Sequence, residues 1–128
     1  VHCIYAGTNI PFEDRHYSFD RYARKRILFV GVDWERKGGP HLFESFKLVL
    51  KKHPDAKLVV VGCSPNIQHP QCEIVGRIPL EQVADHYKEA SVFCMPTRRE
   101  PFGIVYLEAM AHKLPVVATR IGALPDFV

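Results

Sequence analysis

The sequence has little of what marks a membrane or secreted protein. Cysteine is scarce, with 4 in 128 residues at irregular spacings and no Cys-x-x-Cys pair. No apolar run approaches the ~20 residues that cross a bilayer, and the first residues show no basic, signal-like segment. We therefore expect a soluble chain in a reducing, cytoplasmic compartment.

A large charge excess is also missing. The formal net charge is only +3, while 47% of the residues are hydrophobic and 24% are charged, which excludes disorder and supports a packed core. The basic cluster formed by Arg21, Arg24, Lys25 and Arg26 contains a single aromatic residue, Tyr22. We interpret it as a solvated linker, and we predict no nucleic-acid partner.

Two common nucleotide-binding signatures are absent, namely G-x-G-x-x-G and G-x-x-x-x-G-K-[ST]. Cys63, His69 and Cys72 lie close together, but they lack the paired spacing of metal ligands, so no metal site is predicted. We interpret the histidines of the predicted helices as surface or helix-capping residues: His41, His53, His86 and His112.

Short apolar runs alternate with amphipathic segments along most of the chain. The pattern predicts buried strands at 27–32, 57–62, 73–76, 91–95 and 114–119. It predicts helices at 40–53, from Pro79 to Tyr87, and at 103–113. This order indicates an α/β fold with a doubly wound parallel sheet over residues 26–128, preceded by a lead-in at 1–25. Ligands of such sheets bind beyond the carboxyl ends of the strands, which here are the loops at 31–39, 62–72, 76–79 and 96–103.

The first of these loops reads GVDWERKGG and places Arg36 and Lys37 directly before two glycines. Glycines let the backbone approach a ligand closely, so the loop could hold a phosphate. A solvated basic turn explains the same residues. Trp34 could stack on a base, pack against Arg36 or be partly buried.

The last loop reads TRREPFGIVYLEAM and contains a second group of candidate residues. Gly103 opens a helix whose free N–H groups favour an anion. Glu100 precedes that helix and Glu108 lies roughly 7 Å along it, at ~1.5 Å per residue. A glycosidase-like acid and base pair and two solvated glutamates both stay open.

The segment EPFGIVYLE, from Glu100 to Glu108, resembles the E-x7-E motif of family-4 retaining glycosyltransferases, which have the GT-B fold. Further segments resemble the same family in the same order: VHCIYAGTNIPF its hinge, ILFVGVDWERKGG its first strand and phosphate loop, HPDAKLVVVGCSP its second strand, VGRIP its base-contacting loop, and LPVVATRIGALPDFV the segment after the motif helix. The resemblance implies the C-terminal half of a GT-B fold, with a hinge at 1–25 and a Rossmann-like donor domain at 26–128 that is truncated at its C-terminus.

The resemblance also implies roles for individual residues. Lys37 would neutralise the diphosphate of a nucleotide sugar, and Glu108 would bind its ribose hydroxyls. Glu100 would position the sugar, so that Glu100 and Lys37 are the catalytic groups. Backbone contacts to the sugar, the phosphates or the base would come from Phe102, Gly103, Ile104, Arg77 and Ile78.

One position departs from the family pattern. Family members commonly have an arginine directly after the glycine of the first loop, where this chain has Val32. We hypothesise that Arg36 supplies the missing phosphate contact, because a guanidinium binds phosphate in bidentate fashion.

The implied reaction moves a hexosyl group, with retention, from a nucleoside-diphosphate sugar, with UDP- and GDP-sugars favoured and no further cofactor or metal. The acceptor, a saccharide, a lipid or a small molecule, would be bound by an N-terminal domain that this chain lacks, so we expect no turnover by the fragment alone. Peripheral membrane association of the full-length enzyme stays open. The alternatives are a non-catalytic nucleotide-sugar or anion-binding module and a sugar-nucleotide epimerase. A phosphorylase is disfavoured, because no lysine stands in a pyridoxal phosphate context.

Overall fold

A computed structural model describes residues 7–9 and 17–128 of the chain. Within these ranges five parallel strands form one sheet in the order β3-β2-β1-β4-β5. The strands are Arg26–Val30 (β1), Lys57–Val61 (β2), Cys72–Gly76 (β3), Val92–Met95 (β4) and Val116–Ala118 (β5). The predicted α/β fold with a parallel sheet is confirmed.

Helices connect these strands and cover the sheet. They are Asp20–Ala23 (α1), Gly39–Lys52 (α2), Leu80–Glu89 (α3) and Ile104–Ala111 (α4), followed by a short 3-10 helix at Leu124–Asp126. The predicted segments agree with them to within a few residues, although α1 and the 3-10 helix were not predicted. Of the helices in the described residues, none is long and apolar enough to span a membrane.

The core forms around the two central strands, β1 and β2. Seven of their ten side chains are buried, including the pairs Phe29 with Val60 and Leu28 with Val59. Continuous β-branched and aromatic runs suit strands that are covered on both faces. The predicted first strand, 27–32, is too long, because β1 ends at Val30 and Val32 is 62% exposed.

The strand order places the candidate loops side by side. From β1 the chain moves outward through β2 to β3, and it then crosses back to add β4 on the other side of β1. This reversal opens a crevice at the carboxyl ends of β1 and β4, which is where ligands of doubly wound sheets bind. The loops after β1 and β4 are therefore neighbours.

The basic cluster is not uniformly solvated, and the prediction is wrong for Arg21. Its side chain is buried, and its Nη2 donates to the carbonyl oxygens of His112 at 2.8 Å and Lys113 at 2.6 Å. Its guanidinium also lies over the ring of Tyr17, 4.1 Å from the centroid. His112 is the C-terminal cap of α4 and Lys113 follows it, so Arg21 satisfies two carbonyl oxygens directly after the helix. Arg24 is exposed, as expected.

Candidate functional site

The loops after β1 and β4 touch through their backbones. The Arg98 N–H donates to the carbonyl oxygen of Arg36 at 2.9 Å, and Thr97 Oγ1 lies 3.3 Å from the same oxygen and 3.1 Å from the carbonyl oxygen of Arg99. Gly38 has a φ of 78°, and a Cβ built on it would lie 1.8 Å from the carbonyl oxygen of Pro96. Only glycine fits this conformation and this contact.

A buried ion pair lies at the junction of these loops. Lys37 Nζ contacts Glu100 Oε2, and the side chains are only 13% and 6% exposed. Buried charges are tolerated when they are paired, so each residue fixes the other. The interpretation of Glu100 as a solvated glutamate is therefore wrong. The structure brings Lys37 and Glu100 into direct contact, a pairing that was not predicted.

Arg36 lies beside this pair but is bound to protein groups. Its Nε donates to Asp33 Oδ2 at 3.2 Å, and its Nη1 donates to the carbonyl oxygen of Arg99 at 3.0 Å. The backbone N–H of Arg36, together with its guanidinium, holds the pKa of Asp33 below its usual value. Arg36 thus links the loops after β1 and β4 through its hydrogen bond to Arg99. Its hypothesised phosphate contact stays a prediction.

The start of α4 completes the mouth of the crevice. Gly103 precedes Ile104 with a φ of 96°, and a Cβ at Gly103 would lie 2.7 Å from the ring of Tyr106. Phe102 packs against Phe127, with 5.7 Å between the ring centroids. The first N–H groups of a helix have no intrahelical acceptor, so this end of α4 favours negative charge.

Glu108 lies deeper in the same helix and has different partners. It is 4% exposed, and its Oε2 accepts a hydrogen bond from Tyr87 Oη at 3.0 Å. The backbone N–H of Asn9 also donates to the carboxylate. Burial raises the pKa of Glu108, while both hydrogen bonds act to lower it. The solvated reading is therefore wrong for Glu108 too.

Tyr87 was missed as a site residue, since the sequence reading placed it only on the apolar stripe of a helix. Burial, reinforced by the Glu108 carboxylate, raises the pKa of Tyr87 well above its usual value, so the phenol stays a donor. Its ring stacks on His112 with 5.2 Å between centroids. His112 ends α4 as a capping residue, as expected, but it is buried and not at the surface.

Arg77 and Ile78 lie at the carboxyl end of β3. Both line a cavity of about 450 Å³ whose other walls come from the ends of β1 and β2, from α3 and from Val105 of α4. Gly62 and Gly76 bring these strands together, since the Gly62 N–H donates to the Gly76 carbonyl oxygen at 2.7 Å. The lining of the cavity is mainly apolar, and Arg77, an exposed residue, contributes a positive charge to it.

Trp34 is partly buried, which was one of its three predicted readings. Its ring meets Phe29 edge to face, with 5.0 Å between centroids. A Cβ at Gly39 would lie 2.1 Å from the indole, so the ring packs against the start of α2. Trp34 thereby braces the loop that presents Lys37.

His69, one of the three residues considered for metal binding, makes contacts with neighbouring protein groups. His69 Nδ1 accepts a hydrogen bond from the Gln71 N–H at 3.1 Å, and its ring faces Phe43 and Phe46. Within residues 7–9 and 17–128, no three His, Cys, Asp or Glu side chains are grouped so that they could hold a metal ion.

The fold and the site define a Rossmann-like α/β domain with a charged crevice at its strand reversal. Residues 24–128 match the family described as glycosyl transferases group 1. The chain is 34% identical over 116 residues to an uncharacterized glycosyltransferase of Methanocaldococcus jannaschii. It is 34% identical over 119 residues to a D-inositol 3-phosphate glycosyltransferase of Corynebacterium urealyticum. These alignments cover 81% and 78% of this chain but 29% and 28% of the two relatives.

A solved structure of a mutant of S. aureus TarM has the same fold, with a TM-score of 0.77 at 19% identity over 95% of this chain and 26% of TarM. The chain belongs to the group 1 glycosyl transferases, and its fold is that of one Rossmann-like half of a GT-B enzyme. The resemblance to glycosyltransferases of the GT-B fold is confirmed.

Proposed function

We propose that this chain is the donor-binding domain of a retaining glycosyltransferase that moves a hexosyl group from a nucleoside-diphosphate sugar to an acceptor. The observation that carries the proposal is the buried Lys37 and Glu100 pair, which lies where two sheet loops meet the start of a helix. A cation, a carboxylate and free helix N–H groups are thus gathered at one mouth.

The chemistry of the donor explains why these groups belong together. When the bond between the anomeric carbon and the phosphate oxygen breaks, the electron pair leaves on the diphosphate. Lys37 and the start of α4 would stabilise that charge without a metal ion. Glu100, with the backbone of Phe102, Gly103 and Ile104, would hold the sugar hydroxyls.

The nucleoside would occupy the neighbouring part of the crevice. We assign the base to the 450 Å³ cavity beside Arg77 and Ile78. Glu108 would accept hydrogen bonds from the ribose hydroxyls, since a buried carboxylate with neutral partners retains acceptor sites. UDP- and GDP-sugars are our preferred donors, and the TarM structure, which contains UDP, supports the first.

Arg36 would take the phosphate-binding role left open by Val32. Its guanidinium side chain is 41% exposed and already faces the carboxylate of Asp33. A donor phosphate would replace Asp33 as its acceptor, so Arg36→Ala should weaken diphosphate binding measurably. An unchanged affinity in that variant would remove Arg36 from the site.

The acceptor and the second half of the reaction centre would come from outside this chain. Similar proteins are connected with different molecules, since one relative is named a D-inositol 3-phosphate glycosyltransferase and the TarM structure contains α-GlcNAc-glycerol. A saccharide, a lipid or a small molecule therefore stays open, and we predict no transfer by this chain alone. We also propose a cytoplasmic location, because Cys63, Cys72 and Cys94 are free thiols.

A calorimetric titration with UDP, GDP, ADP and inorganic phosphate tests the proposal. One diphosphate should bind with higher affinity than the others. In a thermal-unfolding measurement the same diphosphate should raise the unfolding midpoint by mass action. Lys37→Ala and Glu108→Ala should weaken it, while the control Lys47→Ala, at a solvent-exposed position of α2, should not. If neither this chain nor a version extended at both ends binds any nucleoside diphosphate, the proposal fails.

A further inference from the structure

We infer that Tyr87 is a positioning residue that holds the Glu108 carboxylate in the orientation in which it accepts hydrogen bonds from the donor ribose. The inference rests on the proposed function and deepens it. It assigns the ribose contact of the donor site to two elements, α3 and α4, instead of to the motif helix alone.

The geometry gives the phenol one dominant acceptor. A tyrosine hydroxyl has a single proton. Glu108 Oε2 lies 3.0 Å from Tyr87 Oη, whereas the Val105 carbonyl oxygen lies 3.3 Å away. The carboxylate is both nearer and charged, so it takes the proton. The backbone N–H of Asn9 is a second donor to the same carboxylate.

The hydroxyl itself is not needed to fill the core. Tyr87 is fully buried, and its ring packs between Phe93 and His112, with centroid distances of 6.0 Å and 5.2 Å. Phenylalanine would fill nearly the same volume without the cost of burying a hydroxyl. These rings fix the phenol, and the phenol fixes one oxygen of a side chain that has three rotatable bonds.

Two protein donors still leave the carboxylate able to bind a ligand. An ionised carboxylate has about four acceptor positions, so about two stay available for a pair of vicinal hydroxyls. With one oxygen anchored to Tyr87, the carboxylate cannot rotate freely, so its remaining lone pairs keep one direction. The ordering is complete before the nucleotide arrives, which lowers the entropy lost on binding.

The test measures how strongly the protein distinguishes ribose from a sugar without its hydroxyls. Affinities are measured by calorimetry for the best-binding nucleoside diphosphate among UDP, GDP and ADP and for its 2′,3′-dideoxy counterpart. In Tyr87→Phe we expect about a fivefold to tenfold loss for the ribonucleotide and little loss for the dideoxy compound. The control Tyr22→Phe removes a hydroxyl that donates to Lys113 O and not to Glu108, and it should change neither affinity.

Glu108→Gln separates this inference from the proposed function. If Glu108→Gln leaves the ribose discrimination intact, the ribose assignment of Glu108 is wrong. If Glu108→Gln abolishes the discrimination and Tyr87→Phe retains it, or if Tyr87→Phe weakens both ligands equally, the positioning role is overturned.

A second measurement uses the unmodified chain and so does not depend on the folding of any variant. The 13C chemical shift of Tyr87 Cζ reports on the hydrogen bond of the phenol. It should move when the ribonucleotide binds and stay in place when the dideoxy compound binds. Equal shifts with both ligands would contradict the inference.

Discussion

The two glutamates of one nine-residue segment, Glu100 and Glu108, occupy opposite electrostatic environments. At the mouth of the crevice, Glu100 is compensated by the charge of Lys37, which comes from a different loop. In the interior, Glu108 is compensated by the neutral donors Tyr87 and Asn9. The first arrangement depends on two loops staying in contact, and the second depends on helix packing, so each can be disturbed without the other.

The largest expected effect is on the mouth alone. Gly38→Ala places a methyl group against the Pro96 carbonyl oxygen, in a backbone conformation that alanine avoids. We expect about 4 kcal/mol or more of lost stability, because the loops must separate. Chemical denaturation measures the loss, and Gly7→Ala, which meets no atom within 4 Å, is the control. Equal stabilities would show that the loop contact is adaptable.

Breaking the ion pair comes next in size. Lys37→Met leaves Glu100 buried without its counter-charge, which costs about 3 kcal/mol in comparable pairs. Adding Glu100→Gln should restore much of that loss, so the double variant is more stable than Lys37→Met. The exposed pair of Lys47 with Glu44 is the reference, and Lys47→Met should cost under about 1 kcal/mol. Independent, additive losses would argue against a coupled pair.

A smaller loss is expected at the far end of α4. Arg21→Met removes the donor to the carbonyl oxygens of His112 and Lys113, with an expected cost of about 2 kcal/mol. Arg24→Met, at an exposed position three residues after Arg21, should be close to neutral. Thermal unfolding of the wild type and of the two variants measures the difference. Similar midpoints for the two variants would show that the hydrogen bonds of Arg21 do not stabilise the protein.

The smallest expected effect is on how the stability of the protein depends on pH, through the buried Glu108. Burial raises the pKa of Glu108, so the folded protein holds that proton more tightly than the unfolded chain. This contribution to stability is present at low pH and is lost as the pH rises from about 4.3, the ordinary value, through the raised pKa. The free energy of unfolding of Glu108→Gln should therefore rise relative to that of the wild type across this pH range, as measured by denaturation at several pH values. Glu35→Gln, at an exposed position, should follow the wild-type profile.

The fold could be predicted from the sequence because each element has a local cause. The runs at β1 and β2 are continuously apolar, and Pro54 stops the helix before β2. The loops that form the mouth could be predicted from the parallel order of the strands alone, since ligands bind at the carboxyl ends of such strands. Lys37 and Glu100 meet at these loops. The position of Gly103 at the start of α4 could also be predicted from the local sequence.

The interior of the site could not be predicted in the same way. Tyr87 and Glu108 lie 21 residues apart on helices whose relative rotation depends on the packed core. Arg21 reaches carbonyls 91 and 92 residues away, and nothing in its local sequence separates it from the exposed Arg24. Partners that belong to the backbone, such as the Asn9 N–H, leave no side-chain signature at all.

The buried position of Arg21 separates two kinds of boundary. The match to the family begins at residue 24, yet Arg21, which donates to the carbonyl oxygens of His112 and Lys113 just after α4, precedes it. A shortened protein that began at residue 24 would keep every residue of that match and lose a side chain of its own interior. Because Arg21 is 3% exposed, the packed interior of this chain extends upstream of the residues that match the family.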